Sequence, residues 1–178
     1  MDIGAAIEKT SLWGVLHDGE LRDIKTSATL QTANLLLVIE HLNGFYGWAP
    51  DAGLRFQFEG VTELRVNQWV SDPAKGSEGV RSRRWSPRQW NTLEQVVPPR
   101  AVKILEASVL RLGDGSRLEL AGFDVDEEGR TTDVWLEVFV QGSKLVISTP
   151  DGVCDVDRLV QIGDAYWDNV GKKRKGRA

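Results

Sequence analysis

Leu54, Phe56 and Phe58 are apolar, while Arg55, Gln57 and Glu59 between them are polar. A period of two is what a strand shows when one face meets a core and the other meets water. Val134, Leu136, Val138 and Val140 repeat the pattern against Asp133, Trp135, Glu137 and Phe139. There the second face is itself half apolar, which predicts a central strand. Weaker alternation covers residues 22–28 and continues through Leu64 and Val66. The pairs Leu110/Leu112 and Leu118/Leu120 flank Gly113-Asp114-Gly115-Ser116, a tight-turn signal. Residues 35–42 form an apolar run too short for a typical helix, and predict a strand covered on both faces. Gly60 marks a turn or bulge, Gln141-Gly142-Ser143 a turn, and residues 124–130 a solvated turn.

Two segments change period. Ser86, Pro87 and Gln89 suit the cap, first and third positions of a helix, with Trp85 and Trp90 as an apolar staple. This predicts a short helix over residues 87–96, stopped by Pro98-Pro99. Val156, Leu159, Val160, Gly163, Trp167 and Val170 recur at spacings of three and four, with Asp155 or Asp157 as cap, which predicts a C-terminal helix. The strands are not interleaved with helices, so parallel βαβ units are not expected. The expected fold is mainly β (α+β): an antiparallel sheet curled into a sandwich or open barrel, with one short internal helix and a C-terminal helix. Residues 1–170 read as one globular domain and 171–178 as a basic flexible tail.

Size and composition agree with that reading. A chain of 178 residues, 41% hydrophobic and 27% charged, suffices for one core without a metal or a crosslink. No apolar run reaches membrane-spanning length and no secretory leader is visible. Cys154 is the only cysteine, so no intrachain disulfide forms and a cytoplasmic location is expected. Seven tryptophans are expected mainly in or at the edge of the core.

Charge is unevenly placed. The net charge is −4, yet the last eight residues hold five bases and no acid. Residues 75–100 carry six bases and two acids, and residues 114–168 thirteen acids and four bases. An acidic body repels phosphate and favours basic protein partners, as well as solubility. A protein partner is therefore expected, and no membrane. Nucleic acid is the less favoured partner: an accessory protein would meet it through Arg81, Arg83, Arg84 and Arg88, interleaved with Trp85 and Trp90, and through the basic tail. Phe45, Tyr46 and Trp48, in a glycine-rich stretch read as a loop, are further candidate binding residues.

Catalytic signatures are missing. There is no G-x-S-x-G, no phosphate-binding G-x-x-x-x-G-K-[ST] and no G-x-G-x-x-G. His17 and His41 are the only histidines. With Asp18 they form a candidate polar site if the fold brings them together. Asp124, Asp126, Glu128 and Gly129 match the start of a calcium loop, but Trp135 stands where its closing glutamate belongs. Acids flank Cys154, which disfavours a reactive thiolate. No catalytic residue, metal or cofactor is expected. The alternative is a small hydrolase or isomerase using carboxylates in a barrel mouth.

Leu16-His17-Asp18-Gly19-Glu20-Leu21 resembles the L-H-D-x-x-L opening of small uncharacterised bacterial β-rich proteins. Alternating strands follow that motif, as they follow it here over about the first 70 residues. Some of those proteins look like immunity proteins encoded beside polymorphic toxins. The resemblance implies a non-catalytic binding protein in which His17 and Asp18 fix a turn.

Overall fold

A computed structural model of the chain describes residues 8–70, 88–90 and 101–175. In chain order the elements are β1 (Glu8–Ser11), α1 (Trp13–Leu16), β2 (Glu20–Thr26), β3 (Thr32–Val38), α2 (Glu40–Tyr46), β4 (Gly53–Val70), β5 (Arg88–Trp90), β6 (Ala101–Leu112), β7 (Gly115–Val125), β8 (Thr131–Thr149), β9 (Gly152–Cys154) and α3 (Val156–Lys175). Every strand pairing is antiparallel. The order β4-β3-β2-β6-β7-β8 closes on itself because β4 also pairs with β8. The result is a ring of six strands, with β5 and β9 continuing it at its margins and β1 lying on β6.

Alternation explains what fills the ring. Leu54, Phe56 and Phe58 of β4, Leu35 and Leu37 of β3, Leu118 and Leu120 of β7, and Leu136, Val138 and Val140 of β8 all point inward and are buried. Leu12, Val15 and Leu16 around α1, Leu42 of α2 and Leu159 of α3 join the same core. The described tryptophans are not among the fully buried residues. They stand at outward strand positions or among the helices, at the edge of the core.

The two longest strands, β4 and β8, extend past the expected breaks in the chain. Gly142 is not a turn and Gly60 marks the bulge rather than a turn: β4 and β8 run through them unbroken. Gly60 sits at φ 57, where a side chain is strained, and the register shifts between Val61 and Glu63. A bulge therefore bends the pair without ending it, so each strand serves two parts of the ring.

Four further expectations are corrected. Arg88–Trp90 is a strand paired with residues 66–68 of β4, not the first turn of a helix. Its backbone amides find partners across a sheet, and that outweighs the local capping pattern. The rest of that segment, with Arg81, Arg83, Arg84, Trp85 and Ser86, lies outside the described residues. The run 35–42 divides: the strand stops at Val38 and α2 begins at Glu40, so Phe45 and Tyr46 are helical rather than in a loop. Asp124 belongs to β7 and is buried, accepting a hydrogen bond from Thr132 Oγ1 at 3.0 Å. The solvated turn begins only at Asp126. The C-terminal helix is present, with Asp155 Oδ1 accepting from Arg158 N at 2.7 Å at its start. It continues to Lys175, so four of the five bases read as tail are helical.

Candidate functional site

Among the described residues, two places gather side chains with chemistry. The first is the junction of α1, α2 and α3. The L-H-D segment lies there: Leu16 closes α1, and Asp18 takes a left-handed backbone with φ 62. Asp18 N donates to Ile104 O at 3.0 Å and Gly19 N to Leu16 O at 3.0 Å, turning the chain into β2. The Asp18 carboxylate lies 3.1 Å from His17 Nδ1 and 3.4 Å from Lys103 Nζ. His17 and Asp18 thus build a tight turn, and the carboxylate ties it to β6.

Aromatic rings link the two histidines. His17 lies 4.6 Å from Trp13, Trp13 stacks on Trp167 at 6.3 Å, and Trp167 lies 6.0 Å from His41. His41 also meets Tyr166 at 4.6 Å. Phe45, Tyr46 and Trp48 extend the chain of rings from Tyr166. Tyr46 donates its hydroxyl to Ile162 O at 3.0 Å, and Trp48 its indole N–H to Asp151 at 3.0 Å. These rings hold α2 and the β8–β9 turn to α3. Packing accounts for Tyr46 and Trp48, while Phe45 keeps an exposed edge.

His41 feels both Asp18 and His17. Burial pushes its pKa below the usual histidine value; Asp18 opposes that and His17 adds to it. Its Nε2 has no hydrogen-bond partner among the described residues. The folded chain therefore holds fewer protons here than the unfolded one, so stability rises with pH across this titration. This contribution is complete above about pH 6.5, the unfolded value. It is lost as pH falls from there through the lower folded value. The urea midpoint of the native chain should thus fall more than that of His41→Gln between about pH 7.5 and 5.5. Equal falls would show that His41 titrates as freely folded as unfolded.

The second place was not read from the sequence. On the outer face of β6, β7 and β8 lies a groove of about 330 Å³, lined by Lys9, Ser11 and Trp13 on one side and Glu137 and Phe139 on the other. Glu106, Ser108, Glu119 and Ala121 line it between these. Strand register explains the gathering: Glu106 pairs with Ala121 and Ala121 with Glu137, while Ser108 pairs with Glu119 and Glu119 with Phe139. Two rows of outward side chains thus cross three strands. Alternation alone shows that Glu119, Glu137 and Phe139 point outward. Their meeting with Glu106 and Trp13 depends on pairings and on α1, which no local signal records.

Asp126 and Cys154 are the remaining candidates among the described residues. Asp126 spends its carboxylate on its own turn, accepting from Glu128 N, Arg130 N and Arg130 Nε. Those bonds, led by the one from Arg130 N, hold its pKa below the usual carboxylate value. No group of three metal-ligating side chains occurs among the described residues. Cys154 is half-buried on β9, and burial, then Asp155, push its thiol up, away from a reactive thiolate.

No protein-family model matches the chain, and no curated protein matches it. Among solved structures the chain is similar to an uncharacterized protein from Neisseria gonorrhoeae, at 8% identity and a TM-score of 0.40, over 81% of this chain and 98% of that one.

Proposed function

We propose that the chain is a non-catalytic binding protein of a bacterial cytoplasm that docks a partner protein on the outer face of β6, β7 and β8. The groove carries this reading. Its lining sets an exposed tryptophan, a residue enriched at interfaces, beside carboxylates that would complement a basic surface, on a framework of paired strands. The core lies on the opposite face of the same strands, so folding does not account for the groove. The excess of acids over residues 114–168 supports a basic protein over nucleic acid. The L-H-D-x-x-L opening supports an immunity-like role, in which the partner is a toxin encoded beside this chain. The hydrolase reading has only the nearness of His17 Nδ1 to the Asp18 carboxylate, 3.1 Å without a formed hydrogen bond, to draw on. Against it, the interior of the ring is filled by apolar side chains among the described residues.

No helix among the described residues is long and apolar enough to cross a membrane. The test is photocrosslinking in the producing cells from position Ser11, in the groove, and from Asn34, on β3 across the ring. One discrete protein adduct from position 11 and none from position 34 is expected. No adduct, or the same adduct from both, overturns the proposal. Toxicity of the adduct protein, relieved by co-production of this chain, is the further result expected of an immunity role.

A further inference from the structure

The two rows of the groove differ in how their charges are met. In the second row Glu119 lies 3.5 Å from Lys9 Nζ and 3.3 Å from Arg117 Nε. Phe139 lies under the guanidinium groups of Arg65 and Arg117, 4.5 and 5.0 Å from its centroid. Glu63 joins those two arginines, 3.5 Å from each. That row is internally neutralised.

The first row is not. Glu137 accepts a hydrogen bond from the uncharged Asn67 at 3.1 Å. Glu106 is exposed and has no ion-pair partner among the described residues. Between them stands Ala121, paired with both. Adjacent strands are about 4.8 Å apart, so the two glutamates flank Ala121 at about 10 Å. A methyl group between two longer side chains leaves a notch with a carboxylate on each side. Trp13, 49% exposed, stands in the same lining.

We infer that this notch takes an arginine side chain of a basic partner protein, seated over Ala121 between Glu106 and Glu137 with Trp13 against it. This rests on the protein-binding reading and names the chemistry of its contact. Guanidinium fits better than ammonium for two reasons. It is flat, with donors on opposite edges that serve two separated carboxylates at once. It also stacks on an indole and sheds water more readily than a lysine head. Neither carboxylate needs to move far, because both stand on paired strands.

The test uses the whole chain and a blocked Gly-Arg-Gly-Arg-Gly peptide, followed through backbone amide and indole N–H resonances. Saturable shifts at Glu106, Ala121, Glu137 and Trp13 are expected. The lysine version should bind more weakly and the glutamate version not at all. The double variant E106Q/E137Q should keep its melting temperature and weaken arginine-peptide binding roughly tenfold or more. Added salt should weaken binding to the native chain, because the contact is exposed. Absence of shifts at the notch, equal binding by the double variant, or the same shifts with a neutral oligosaccharide overturns the inference. If the double variant still gives the adduct from Ser11, the notch chemistry fails and the docking face stands. If the native chain gives no adduct, the docking face itself fails.

Discussion

Phe56→Ala is expected to destabilise the fold by about 3–5 kcal/mol, the usual loss for a buried phenylalanine that leaves a cavity. Phe56 is fully buried on β4, facing Leu35 of β3 on one side and Ile147 of β8 on the other. These are the two pairings by which β4 closes the ring. Its loss removes apolar burial where the sheet meets itself, and strands pinned on both sides cannot collapse into the space. Against a total stability of about 5–15 kcal/mol for ordinary domains, this is a large fraction. Urea unfolding followed by circular dichroism measures it. A loss below about 1 kcal/mol would show that the site relaxes freely and that ring closure does not depend on this side chain.

Gly163→Val is expected to cost about 3 kcal/mol, at the upper end for overpacking. The two effects at this position have opposite signs. Glycine inside a helix costs about 1 kcal/mol relative to alanine, so replacement alone favours α3. A Cβ at position 163, however, would stand 2.9 Å from the Gly14 carbonyl and from Val15 Cα. Those atoms are backbone and cannot swing aside, so α3 must lift from α1. Valine adds two further methyl groups at the same crossing. Lifting α3 also breaks the hydrogen bond from the Trp167 indole to Gly14 O and the Trp13–Trp167 stack. Tryptophan emission should therefore shift with the loss of stability. Gly163→Ala should show a smaller loss of the same sign. Stabilisation by alanine would mean that helix propensity outweighs the close approach.

These two positions separate what was legible in the chain from what was not. The inward set of β4 and of β8 follows from a period of two, because a pleated strand sends alternate side chains to opposite faces. The antiparallel class follows from strands without helices between them. The start of the C-terminal helix was readable, because Asp155 caps it and its apolar spacing is local. The turn at His17-Asp18-Gly19 is likewise local.

Other features depend on partners distant in the chain. The capping pattern at Ser86-Pro87 is real as a pattern, yet Arg88–Trp90 pairs with β4 some twenty residues earlier. A sheet edge offers hydrogen bonds that no neighbouring residue can. Gly60 reads as a turn or bulge and Gly142 as a turn, because a glycine can end a strand or bend it. Only the pairing of β4 with β8 selects the bend. The groove is the extreme case. Glu106, Ala121 and Glu137 are spread over 32 positions of the chain, and nothing in their spacing joins them. Local periodicity determines which face each residue takes, since that depends only on the strand's own geometry. Which residues share that face is decided by register, and register is set by the whole ring closing around its core.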